Sequence, residues 1–87
     1  NILRKRLDIL DNSFIKLIKK RTEIVKKVLK LKKNKNQIID RKRIKIILNQ
    51  IKKKSIKNKI DPKITNRIWR NMIWSYIDFE KRNFKKK

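Results

Sequence analysis

Three charged side chains interrupt the apolar helical stripes of this sequence. Arg21 falls in a seam that reads Leu3, Leu7, Leu10, Phe14, Leu17, Arg21, Ile24, Val28, Leu31, in steps alternating between four and three residues. A guanidinium there is costly to bury unless it is paired, so an anion should meet it. Lys32 lies eleven residues further on. That is three helical turns, which puts it within about 20° of the same face. Val25 and Val28 lie between the two. Arginine grips carboxylates through two parallel N–H···O bonds, and lysine acts as a point charge. Together they define a strip for an elongated anion. Taken alone, Lys32 reads as one solvated lysine among many, and it is the seam that singles out Arg21. Glu80 follows Tyr76 by four residues and Trp69 by eleven, on the apolar face of the last helical segment. It fits a salt bridge to a neighbouring lysine as well as it fits a place in a site. Arg4 stands beside the seam at the start of the first helix and carries no signal by itself.

The remaining inventory narrows the chemistry. The 87 residues contain no cysteine, histidine or glycine. That removes thiol nucleophiles, disulfides and zinc–cysteine sites, the commonest general base and metal ligand, and both glycine-rich phosphate loops. No cofactor and no metal are expected, and catalysis must use Arg, Lys, Asp, Glu, Ser, Thr or Tyr. The net charge of +23 has two possible origins. One is a polyanionic partner, either nucleic acid or an anionic membrane surface. The other is codon bias, since lysine, isoleucine and asparagine abound while alanine and glycine are absent. The lysines are spread along the chain, with clusters at residues 52–54 and 85–87 but no separate basic arm, which favours the second origin. No specific nucleic-acid partner is therefore expected. No apolar run approaches the ~18 residues of a membrane span, and the amino terminus lacks a signal-peptide pattern. No membrane association and a cytoplasmic location are expected.

Such side chains need rigid elements to hold them. Proline occurs only at Pro62 and glycine nowhere, so the usual chain breakers are nearly missing. The seam predicts a first helix over about residues 3–33, ~45 Å long at 1.5 Å per residue. A helix of that length cannot bury its stripe on itself and needs two short partners or a second copy of the chain. A monomer this small buries only roughly 60% of its unfolded surface, and association would remedy that. The polar run at residues 34–37 forms a break. Asp40 is placed to cap a second helix over about residues 41–54, with Ile44, Ile47, Leu48 and Ile51 on its apolar face. Residues 55–60 read as a loose basic connection. Asp61-Pro62 is a strong helix start for a third helix that carries Ile64, Ile68, Trp69, Met72, Ile73, Tyr76 and Ile77. This helix ends before the basic tail at residues 85–87. The expectation is a single all-α domain over residues 1–87, with one long helix and two shorter ones.

These residues line up into a known pattern. Leu3-Arg4, Leu7-Asp8-Ile9-Leu10-Asp11, Ile15, Leu17-Ile18, Arg21 and Lys32 resemble the first helix of the all-helical chorismate mutases. Asp40-Arg41-Lys42-Arg43 resembles the start of that family's second helix. Ile68-Trp69-Arg70, Ile73, Tyr76-Ile77 and Glu80 resemble its third. The resemblance implies an interlocked helical homodimer with two active sites, each completed by an arginine from the other chain. It implies an enzyme that rearranges chorismate to prephenate, with Arg21 and the partner's Arg4 gripping the two carboxylates. Arg43 would assist at the ring carboxylate, while Lys32 and Glu80 would both donate to the ether oxygen. Asp40 matches a position that contacts substrate or orients its neighbours, and Tyr76 is counted among the substrate-binding positions. Trp69 and Tyr76 also belong to the core by their helical spacing.

Two positions depart from the family pattern. Ile44 stands where the family usually has a glutamate for the ring hydroxyl. Glu80 stands where a glutamine is common, and an ionised carboxylate cannot donate a hydrogen bond. Glu80 must therefore be protonated in the working enzyme, favoured by burial and opposed by Lys32. Ile44 and the third-helix pattern also resemble isochorismate-pyruvate lyase, an enzyme of the same fold, which is the nearest alternative. A basic helical nucleic-acid-binding module is the alternative from another class.

Overall fold

A computed structural model describes residues 1–85, so of the basic tail only Lys85 lies within the described residues. Three helices follow one another: α1 (Ile2–Leu31), α2 (Arg41–Lys57) and α3 (Pro62–Asn83), with one 3-10 turn at Lys35–Gln37 between the first two. No strand occurs among the described residues. Each helix begins on a side-chain cap that satisfies amides left open at its first turn. Asn1 Oδ1 accepts from the amides of Leu3 at 2.9 Å and Arg4 at 3.4 Å. Asp40 Oδ1 accepts from Arg43 N at 3.0 Å, and Asp61 Oδ1 from Lys63 N at 2.9 Å, just ahead of Pro62 at the first helical position.

The connection expected at residues 55–60 is a correction. α2 continues through Lys57, and Ser55 is one of the most buried residues of the chain. The helix then closes on a full turn-terminating motif: Ile60 N donates to Ser55 O at 2.8 Å, and Lys59 N to Ile56 O at 3.1 Å. That geometry needs a left-handed residue, normally glycine, and Lys59 takes it at φ 57°. With no glycine in the chain to mark the stop, lysine bears a strain of roughly 1–2 kcal/mol. Ser55 Oγ lies 2.6 Å from Ile51 O and 2.6 Å from Thr65 Oγ1, which ties the end of α2 to the first turns of α3.

α3 packs mainly on α2 and more thinly on α1. The core is small: Leu29, Ile38, Ile73 and Ile77 are buried, with Ile39, Ile44, Ile47, Leu48 and Phe84 partly buried around them. α1 joins this body only through its second half. Its first twenty residues are exposed throughout, including Leu3, Leu7, Leu10, Phe14 and Leu17 of the seam. The chain measures 51 × 26 × 15 Å, and its radius of gyration is 15.5 Å. A compact domain of this length would have about 12 Å.

Candidate active site

A cleft opens where the second half of α1 faces α3 and the 3-10 turn. α1 and its cap residue Lys32 bring Arg21, Ile24, Val25, Val28 and Lys32 to its wall. The connection and α2 add Gln37, Ile38, Asp40, Arg43, Ile44 and Ile47, and α3 adds Ile73, Tyr76, Ile77 and Glu80. Its volume is about 600 Å³, within the range of small-molecule sites. The walls are mostly branched aliphatic side chains, so the few charges stand out against a low-polarity background.

The seven residues expected to bind substrate are Arg4, Arg21, Lys32, Asp40, Arg43, Tyr76 and Glu80, and all but Arg4 line this one cleft. Arg4 is exposed at the amino end of α1, about 25 Å along the helix from Arg21 at 1.5 Å per residue. A single chain therefore does not bring it to the site.

Lys32 and Glu80 meet at one end of the cleft. Lys32 Nζ donates to Glu80 Oε1 at 2.8 Å, with the lysine side chain 19% and the glutamate side chain 8% exposed. The salt bridge to a lysine expected for Glu80 is therefore present, and its partner is Lys32. Two other ion pairs, Lys26–Glu23 and Arg82–Asp78, lie on open surface at 3.4 and 3.6 Å and contribute little.

Among the described residues, no carboxylate pairs with Arg21. It is exposed, and its guanidinium carbon stands 5.7 Å from the centre of the Tyr76 ring, a cation–π distance. Tyr76 is itself tethered: its hydroxyl lies 2.7 Å from Thr22 Oγ1 and 3.2 Å from Ile18 O, while Thr22 Oγ1 lies 2.8 Å from Ile18 O. Tyrosine and threonine have one hydroxyl proton each, and both are used within this triangle. Tyr76 therefore offers the cleft a ring face beneath Arg21, with its proton turned toward α1. Asp40 spends Oδ1 on the α2 cap, which fixes the helix that carries Arg43 into the cleft.

Gln37 and Thr22 are the residues that the sequence did not single out. Gln37 lines the cleft, and its side-chain carbonyl accepts from Lys33 N at 2.6 Å and Asn34 N at 3.0 Å. A second groove of about 540 Å³ runs along Glu23, Lys26, Lys27 and Phe79. Its charged residues are all exposed, so it lacks the desolvated pair that marks the first.

Comparison with known families and proteins identifies a family. The family model described as chorismate mutase type II matches residues 3–81. No curated protein and no solved structure matches the chain. Among the described residues, no helix is long and apolar enough to cross a membrane.

Proposed function

The chain belongs to the chorismate mutase type II family, a family of isomerases that act on chorismate, and from that premise we infer that the cleft described above is where chorismate rearranges to prephenate. The observation that carries this reading is the Lys32–Glu80 pair, largely buried in a mostly aliphatic cleft that Arg21 and Arg43 also line. The reaction is intramolecular: an ether C–O bond breaks while a C–C bond forms, with no nucleophile and no obligatory proton transfer. What the protein must do is hold a flexible dianion in its compact conformer and stabilise the negative charge that grows on the ether oxygen. Arg21 and Arg43 suit the carboxylates. Lys32 suits the ether oxygen, and Glu80, bonded to Lys32 at 2.8 Å, holds the ammonium in place there. Asp40 acts by fixing Arg43, and Tyr76 by fixing Arg21.

The site is completed by a second copy of the chain. The accessible surface of 8147 Å² exceeds the roughly 5,500 Å² expected for a compact protein of this mass. The excess follows the bare stripe of α1. A homodimer that covers this stripe supplies Arg4 across the interface. The cleft by itself carries three cations, Arg21, Lys32 and Arg43, against Asp40 and Glu80. The partner's Arg4 brings the formal balance to +2, which matches a dianion. The whole of residues 1–87 is then one catalytic domain.

The deciding assay follows chorismate disappearance with product identification. Prephenate is expected. Pyruvate released from isochorismate, without prephenate from chorismate, would reassign the site to the lyase chemistry of the same fold. Inertness toward both would leave the cleft to another anion. The role of Glu80 is tested by substitution. Glu80→Gln keeps an oxygen that accepts from Lys32, so kcat should stay within about threefold of wild type, whereas Glu80→Ala should lower it about tenfold or more. Wild-type kcat in the alanine variant would remove Glu80 from the site.

A further inference from the structure

We propose that Gln37 is a positioning residue for Lys32, acting as a side-chain replacement for the missing helix stop at the end of α1; this rests on the reading of Lys32 given above. Many helices end on a left-handed residue, usually glycine, that redirects the chain and satisfies the last carbonyls. α1 has none. It ends at Lys32, which is already extended at φ −79° and ψ 129°, with its own amide bonded to Leu29 O at 3.1 Å. The next two residues lead into a polar run whose 3-10 turn is capped at Asn34, with Gln37 as the reciprocal partner of a capping box.

Gln37 closes this gap from the far side of the turn. Its Oε1 takes the amide protons of both Lys33 and Asn34, at 2.6 and 3.0 Å, and its own amide donates to Asn34 O at 3.1 Å. Three bonds from one residue thus hold the two positions that follow Lys32. The next residue, Ile38, is the most buried apolar side chain of the chain at 3% exposure, so the clamp is anchored in the core. The backbone leaving Lys32 is held in one direction, and the lysine stem is aimed at Glu80, 2.8 Å away. A donor that stabilises charge growing in a transition state must be in place beforehand. A misplacement of an ångström can cost about two orders of magnitude in rate.

The clamp needs an acceptor at the end of a two-methylene stem. Gln37→Glu keeps that acceptor, whereas Gln37→Ala removes it and Gln37→Asn withdraws it by one carbon. In the full-length enzyme, kcat is expected to fall about tenfold or more in the alanine and asparagine variants. The glutamate variant should return kcat to within about threefold of wild type, with its added charge appearing in KM instead. Hydrogen exchange read at individual amides supplies a measure that does not depend on turnover. Lys33 and Asn34 N–H should be protected in the wild type and in Gln37→Glu, and should exchange freely in Gln37→Ala. Wild-type kcat in the alanine variant, at a temperature where it is fully folded, would overturn the proposal. So would a kcat loss shared equally by alanine and glutamate, because the NH₂ end and not the carbonyl would then be what matters. Correct exchange behaviour in a protein inert toward chorismate would leave the clamp standing and remove the catalytic role of Lys32.

Discussion

Lys32→Ala is expected to lower kcat by roughly 10²- to 10³-fold while changing KM far less, the signature of a donor whose bond strengthens as the ether oxygen gains charge. The contrast is Arg21→Ala. Arg21 stands on the open side of the cleft over the Tyr76 ring, placed to bind a carboxylate that is charged before, during and after the reaction. A charge-assisted bond of that kind is worth roughly 1.5–3 kcal/mol, so kcat/KM should fall about 10- to 100-fold, with the loss expressed mainly in KM. Steady-state kinetics on the two variants reads the difference directly. Loss of Lys32 also leaves the Glu80 carboxylate, 8% exposed, without its partner, at a cost of roughly 1–3 kcal/mol. Adding Glu80→Gln to Lys32→Ala should restore most of that stability and none of the rate. Recovery of both together would mean that Lys32 acts only by holding the fold, and equal kcat losses at Arg21 and Lys32 would dissolve the division of labour.

The parts of the site legible in the sequence are those that helical periodicity can carry. Arg21 and Lys32 share a face because they are eleven residues apart on one helix and its cap residue, and Glu80 stands out because it follows Tyr76 on an apolar stripe. The starts of α2 and α3 were legible too, since Asp40 and Asp61-Pro62 cap by local chemistry. Contacts between elements were not. The 2.8 Å approach of Lys32 to Glu80 joins residues 48 positions apart, and no local rule relates them. Helix ends were harder than helix starts. Without glycine, the stop of α2 depends on Lys59 accepting a left-handed conformation. The stop of α1 depends on Gln37 reaching back across the turn. Both stops are made within five residues of sequence, but by residues whose types announce nothing. Tyr76 shows the same limit at one side chain, because its spacing told which face it occupies but not that its hydroxyl is spent on Thr22 and Ile18.

Mixing two impaired variants, Arg4→Ala and Lys32→Ala, is expected to restore activity measured at chorismate concentrations well below KM. The geometry of α1 explains why. If two copies pair their bare stripes antiparallel about a two-fold axis, residues whose numbers sum to a constant face each other. An axis crossing α1 near Asn12 and Ser13 sets Arg4 of one chain opposite Arg21 of the other, and Leu7 opposite Ile18. Both leucine and isoleucine are about half exposed or more in the single chain, at 59% and 49%. In a mixed dimer, the site built on the Arg4→Ala chain keeps its own Lys32 and receives an intact Arg4 from its partner, while the other site carries both lesions. Random mixing after unfolding together makes half of the dimers mixed, so the recovered activity should approach about a quarter of wild type. Arg21→Ala mixed with Lys32→Ala is the control. Both residues belong to the same chain's cleft, every site then retains one lesion, and no recovery is expected. Leu7→Glu, which charges the stripe without touching the cleft, should yield monomers that lack activity for want of Arg4. An active Leu7→Glu monomer, or mixtures that stay dead in both pairings, would place Arg4 outside the site and return α1 to another partner.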